Sequence, residues 1–164
     1  MPHHQPQRPE VKPFSVSPPW TISELMGKMA GTSFQARNLA RGAAIWEEML
    51  RHDVTIFFGL AGAMIPAGMR SLMVYLIENR LIDCLVSTGA NLGHDLQQTL
   101  GQPFWQGEPE ADDVELAQAG IVRIYDTHLL DKDLEDIENF IRDFSCCLPA
   151  RRAYTSHEFL YRLG

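Results

Sequence analysis

The chain has 164 residues, 45% of them hydrophobic, and a formal charge of -7. That much apolar material builds one core of ordinary size and excludes a disordered chain. The acidity argues against general binding to nucleic acid or to an anionic membrane, and no apolar run approaches the ~20 residues that cross a bilayer.

Residues 1–19 are rich in Pro, His and Gln and read as a flexible amino-terminal arm without the apolar core of a signal peptide. His3 and His4 in that arm are potential adventitious metal ligands, and no metal site is expected elsewhere. Residues 20–164 read as one α/β domain. Thr21-Ile-Ser-Glu24 is a capping box that opens a short helix ending near Gly31. Thr32-Ser-Phe-Gln35 is a second capping signal, for a helix to about Arg51 with Ala36, Leu39, Ala40, Ala43, Trp46 and Leu50 on one face.

Val54 to Phe58 is apolar throughout, as a buried parallel strand is. The turn Gly59-Leu-Ala-Gly62 follows, and Pro66 suits the first turn of a helix whose buried face is Met69, Leu72, Met73, Leu76 and Ile77. Asp83 to Ser87 is a second strand, and Asn91 is a suitable N-cap for a helix carrying Leu92, Leu96 and Leu100 up to Gly101. Residues 102–118 read as a polar loop and a short acidic helix. Ile121 to Tyr125 is a third strand. Asp131 opens a helix with Leu134, Ile137, Ile141 and Phe144 at helical spacing, and Thr155-Ser-His-Glu158 is a third capping box. The three cysteines, Cys84, Cys146 and Cys147, are an odd count. With no export signal they read as free thiols in a reducing cytoplasm.

Two segments thus repeat one shape: apolar strand, small-residue turn, helix. Such units build a parallel sheet whose turns gather at its carboxyl edge, where α/β sheets bind ligands. Three strands are few for such a sheet, so it reads as incomplete.

Phe34-Gln-Ala36, Phe58-Gly59 with Met64-Ile65 and Gly68-Met-Arg70, Val86-Ser-Thr-Gly-Ala-Asn-Leu-Gly-His-Asp-Leu96, Gly120-Ile-Val-Arg-Ile124 and Ser156 to Gly164 carry a resemblance. Together they resemble the deoxyhypusine synthase family, including its bacterial synthase-like branch, over most of Thr21 to Gly164. The resemblance implies a Rossmann-like parallel sheet flanked by helices, and homo-oligomers. It also implies NAD as cofactor and transfer of an aminobutyl group from spermidine or another polyamine to a lysine or amine acceptor. By motif, Gly62, Ala63, Met64, Ile65 and Pro66 would line the NAD site, as would Thr88, Gly89 and Ala90. Gly93, His94 and Asp95 would face the polyamine.

The chain departs from the family pattern in two ways. Gly93 and His94 stand where strict synthases carry two acidic residues, so only Asp95 offers a carboxylate to a cationic substrate. The chain also matches only the amino-terminal half of the pattern. Its lysines are Lys12, Lys28 and Lys132, none of them in the family's catalytic lysine segment. The resemblance therefore implies an incomplete domain, inactive alone, partnered by a carboxyl-terminal half or a longer paralogue.

Taken without the resemblance, several features read more plainly. Gly59, Gly62 and Gly68 do not form a dinucleotide fingerprint and describe a tight turn. His94 is a surface or hydrogen-bonding histidine, and on a helix His94 and adjacent Asp95 face different ways. Arg70 forms a solvated ion pair, with Glu78 or a neighbouring subunit's carboxylate as partner. Glu108 to Glu115 is a solvated acidic stretch. A non-catalytic subunit and a ligand-binding module of unrelated purpose stay open beside the enzyme reading, because fold does not fix function.

Overall fold

The computed structural model describes residues 9–13 and 19–164; most of the expected arm, with His3 and His4, lies outside them. The chain divides into two compact units, one ending at Ile56 and the other spanning Phe57–Gly164.

The first unit holds two helices, α1 (Ile22–Ala30) and α2 (Phe34–Arg51). The expected capping box opens α1: Thr21 Oγ1 accepts from the Glu24 amide at 3.2 Å, and the Thr21 amide donates back to Glu24 Oε2 at 2.8 Å. These bonds hold the Glu24 carboxyl below its usual range, the backbone bond from Thr21 being the main cause. The second capping signal is not used as expected. Ser33 is the N-cap of α2 without a side-chain capping bond, its hydroxyl accepting from Arg37 at 3.0 Å, and the Thr32 hydroxyl donates to the Met29 carbonyl at 2.7 Å. Gln35 accepts from Asn38 instead of reaching back. Of the expected apolar face, Ala40 is buried, whereas Leu39 and Leu50 are exposed.

The second unit opens with β1 (Phe57–Leu60), which pairs in parallel with β2 (Cys84–Ser87). The first strand starts later than its apolar run suggested, because pairing with β2 fixes the register at Phe57↔Cys84 and Leu60↔Ser87. A wide helical turn over Ile65–Met69 leads into α3 (Arg70–Glu78), and Gly68 takes a φ of 90 there, a value that a side chain opposes. Met73 and Leu76 bury the inner face of α3, while Leu72 and Ile77 face solvent. α4 (Gly89–Thr99) follows β2 directly.

The third expected strand does not join the parallel pair. It is β4 (Ile121–Ile124) of a separate antiparallel sheet of order β3-β5-β4, with β3 (Trp105–Gln106) and β5 (Thr127–Leu130). The reason is local: Tyr125 takes a φ of 58, the chain reverses, and β4 pairs with β5 as a hairpin from Ile121↔Leu130 to Ile124↔Thr127. α5 (Asp113–Gln118) precedes β4, and α6 (Asp131–Cys146) follows β5. Arg123 of β4 clasps Asp113 with two bonds, 2.8 and 3.0 Å, so part of the acidic stretch is a structural anchor. The Asp113 carboxyl is held below its usual range by these bonds.

The core of this unit gathers Leu129, Ile137, Leu96, Ile65 and Met73. The last helix, α7 (Ser156–Leu163), opens with the expected capping box on Thr155 and Glu158, and Phe159 meets Phe144 of α6 edge-on at 5.4 Å. Cys84, Cys146 and Cys147 are free thiols. Among the described residues, no helix is long and apolar enough to cross a membrane.

Candidate functional site

The two small-residue turns lie side by side at the carboxyl ends of β1 and β2. A Cβ built on Gly62 would sit 3.5 Å from the Thr88 hydroxyl oxygen, so the turns are in van der Waals reach. Asn91 joins them. It is 1% exposed, and its amide nitrogen donates to the Ala61 carbonyl at 2.6 Å and the Ser87 hydroxyl at 3.2 Å. Its carbonyl oxygen accepts from the Ile65 amide at 3.2 Å. One buried side chain thus satisfies backbone groups of the first turn and ties them to the end of β2.

This corrects the expectation that Asn91 is an N-cap. The helix begins at Gly89, and Thr88 is its N-cap in extended geometry with no side-chain cap bond. Asn91 therefore falls in the first turn of α4, where its side chain reaches back beneath the first loop. The Thr88 hydroxyl, uncommitted to capping, stands beside Gly62 together with the amides that open α4. First-turn amides have no partner within their own helix and carry the positive end of its dipole.

The remaining predicted residues divide. Gly62, Thr88, Gly89 and Ala90 are exposed on the outer surface of the two turns, and Ala63 is half-buried with a φ of 69. Met64 is partly exposed, whereas Ile65 and Pro66 are buried, and the Ile65 amide is taken by Asn91. Pro66 also borders a cavity of about 620 Å³ that runs between Gly68, Trp105 and Asp126.

Gly93, His94 and Asp95 occupy consecutive positions on α4 and diverge, as their spacing requires. His94 meets Phe104 edge-on at 5.4 Å, and its Nδ1 lies 3.4 Å from Gln97 Oε1. Asp95 turns the other way, to Arg70: Arg70 Nε donates to Asp95 Oδ1 at 2.7 Å, and a second guanidinium nitrogen donates to the Thr99 hydroxyl at 2.9 Å. The partner of Arg70 is thus Asp95 and not Glu78. The carboxylate expected to offset the two missing acids already carries a counter-charge.

Sequence reasoning missed two residues. Asn91 was placed at the helix start without its role as the tie between the loops. Gln97 is fully buried one turn after His94, and its Nε2 has no hydrogen-bond partner. A fully buried amide on a helix one turn past a motif histidine is a signal that only burial could have raised.

Two adjacent parallel strands, each followed by a turn and a helix, beside a separate antiparallel sheet, define a mixed α/β protein. The deoxyhypusine synthase family model matches residues 24–164. The chain belongs to that family. It is 44% identical over 145 residues to a probable deoxyhypusine synthase 2 of Methanosarcina mazei, which covers 88% of this chain and 42% of the relative. It is 47% identical over 137 residues to a probable deoxyhypusine synthase 2 of Archaeoglobus fulgidus, covering 83% and 45%. A deoxyhypusine synthase-like protein of Chlorobaculum parvum is 35% identical over 145 residues, covering 87% and 41%. The chain spans less than half the length of these relatives.

Proposed function

We propose that this chain forms the amino-terminal part of a deoxyhypusine synthase-like, NAD-dependent aminoalkyl transferase acting on a polyamine and a lysine or amine acceptor in the cytoplasm. The observation that carries this reading is the junction of the Gly62 and Thr88 turns, tied by Asn91. Small side chains there leave room for a phosphate-bearing cofactor, and the amides of Gly89 and Ala90 open α4 toward it. The residues present fit one wall of such a site. When bound, NAD supplies a hydride acceptor for oxidation of the donor amine.

The chain's own groups bind and orient; they do not transfer. Gly62 admits the cofactor backbone-close, the Thr88 hydroxyl donates or accepts at its edge, and Asn91 holds both loops in register. Ile65 and Pro66 support the wall from beneath. Of the three residues expected to face the donor, Gly93 has no side chain, His94 Nδ1 lies by Gln97, and Asp95 is paired with Arg70. The carboxylates for a cationic polyamine and the lysine that carries the aminoalkyl group then lie outside the matched segment, residues 24–164. The reaction needs that further part of a family chain, whether in the same polypeptide or in a partner subunit.

The test is calorimetric titration of NAD into the pure chain, and again with a carboxyl-terminal half present. Binding in either titration, weakened in Asn91→Ala, is the expected outcome. No binding in both at low salt removes the cofactor role. The second reading, a non-catalytic subunit that supports a longer paralogue, is favoured by the Arg70–Asp95 pair and by glycine and histidine at positions 93 and 94. It predicts that the chain raises a paralogue's activity while Thr88→Ala changes nothing.

A further inference from the structure

α4 buries two side-chain amides, and they are used differently. Asn91 spends both ends: its oxygen accepts from the Ile65 amide, and its nitrogen donates to Ala61 and Ser87. Gln97 is equally buried, at 0% exposed, yet its Nε2 has no hydrogen-bond partner among the described residues. An amide donor taken out of water and left unpaired destabilises a fold, and an apolar side chain of the same length carries no such cost. The other end of Gln97 shows what the amide does. Gln97 lies three residues after His94, so the two side chains neighbour each other on the helix surface, and Gln97 Oε1 stands 3.4 Å from His94 Nδ1. A carbonyl oxygen only accepts, so the hydrogen between them sits on Nδ1, and in the neutral ring the lone pair is then on Nε2. Phe104 holds the same ring from a second side, 5.4 Å away with the planes 80° apart. Asp95, the next residue, is taken by Arg70.

We propose that Gln97 is a positioning residue for His94: a buried acceptor that keeps the ring proton on Nδ1 and so presents Nε2 as the hydrogen-bond acceptor. The inference rests on the reading that His94 faces the amine donor, and deepens it by fixing which ring nitrogen meets that donor and in which state. With Nε2 unprotonated, the ring accepts an N–H of the donor's ammonium. With the proton on Nε2 instead, ring and ammonium would meet donor to donor. Asp95 cannot serve in its place, because its carboxylate is already bound to a guanidinium. The orphaned Nε2 of Gln97 is the stability given up to hold the histidine in one tautomer.

The test reads the ring nitrogens directly, by nitrogen NMR of the imidazoles in the labelled full chain at about pH 8.5, where imidazole is neutral. His94→Gln supplies the assignment. The expected result is a His94 ring protonated mainly at Nδ1. Gln97→Met keeps the length of the side chain and removes the acceptor. It should move the tautomer ratio toward Nε2–H by about two- to tenfold, the equilibrium effect of one net hydrogen bond. Its melting temperature should hold or rise, since the unpaired amide nitrogen is gone. Gln97→Leu should shift the ratio in the same direction. The inference is overturned by a wild-type ring protonated mainly at Nε2, or by a ratio unchanged in both variants. It is also overturned if both variants melt more than about 5 °C below wild type, a loss on the scale of a structural core contact. Failure of NAD to bind removes the cofactor role and leaves these ring signals as they are; an Nε2–H ring removes the positioning role even where NAD binds.

Discussion

The two sheets of the second unit solve the same problem in opposite ways. The antiparallel sheet closes on itself: β4 and β5 are joined by a tight reversal, α6 follows at once, and Leu129 between them is 0% exposed. The parallel pair cannot do this. Its strands are separated by a helix, and it holds two strands among the described residues. A hairpin needs only its own residues, whereas parallel pairing needs crossovers and layers supplied from far along the chain. The region that satisfies itself locally is structural. The region that depends on distant chain carries the candidate site.

This contrast can be broken experimentally, beginning with the closed sheet. Leu129→Ala removes the most buried side chain of the antiparallel region and should cost about 2–5 kcal/mol in denaturant-unfolding free energy. A loss below about 1 kcal/mol would show that this sheet is not the stable nucleus of the unit. Asn91→Ala leaves the buried Ile65 amide and the part-buried Ala61 carbonyl without their partner, and should cost about 1–3 kcal/mol. It should also disorder the two turns, seen as faster amide hydrogen exchange at 61–66 and 88–91 than at 121–130. Equal change in both regions would erase the distinction drawn between them.

Gly107→Ala probes packing at the antiparallel edge. A Cβ there would sit 2.2 Å from His128 Nε2, so the ring must move, and the change should cost about 1–3 kcal/mol. The smaller His128→Ala in the same background should recover part of that loss; if it does not, the clash is not the cause.

The smallest effect is on pH dependence. Asp113 has its folded-state pKa lowered by the bonds from Arg123. A lowered folded pKa contributes stability above the unfolded carboxylate value, lost as pH falls through the folded value. Melting between neutral and acid pH should therefore show a slightly weaker pH dependence in Asp113→Asn. An unchanged profile would make the clasp on β4 thermally irrelevant.

What could be read in the sequence was local. Thr21 and Glu24, and Thr155 and Glu158, form the capping boxes that their spacing announces, because a cap involves four consecutive residues. The family string from Val86 to Leu96 located the second turn and its helix. Errors arose where a residue had a distant partner. Thr32 and Gln35 had the letters of a cap, but Thr32 bonds back to Met29. Asn91 had the type of a cap, but its better partners lie thirty residues earlier at Ala61. Arg70 chose Asp95, a turn of another helix away in space, over Glu78 on its own helix.

The sequence by itself determined most of the helices, three of the strands, the small-residue turns and the family, since each rests on residue type, periodicity or a contiguous motif; it did not show β3 or β5. Only the tertiary structure decided that the third strand leaves the parallel sheet, that Asn91 ties the two turns together, that Asp95 is already paired, and that Gln97 is fully buried. Those facts depend on which distant backbone and side-chain groups meet. Hydrogen bonding and burial settle such meetings through the whole fold, and no window of neighbouring residues contains them.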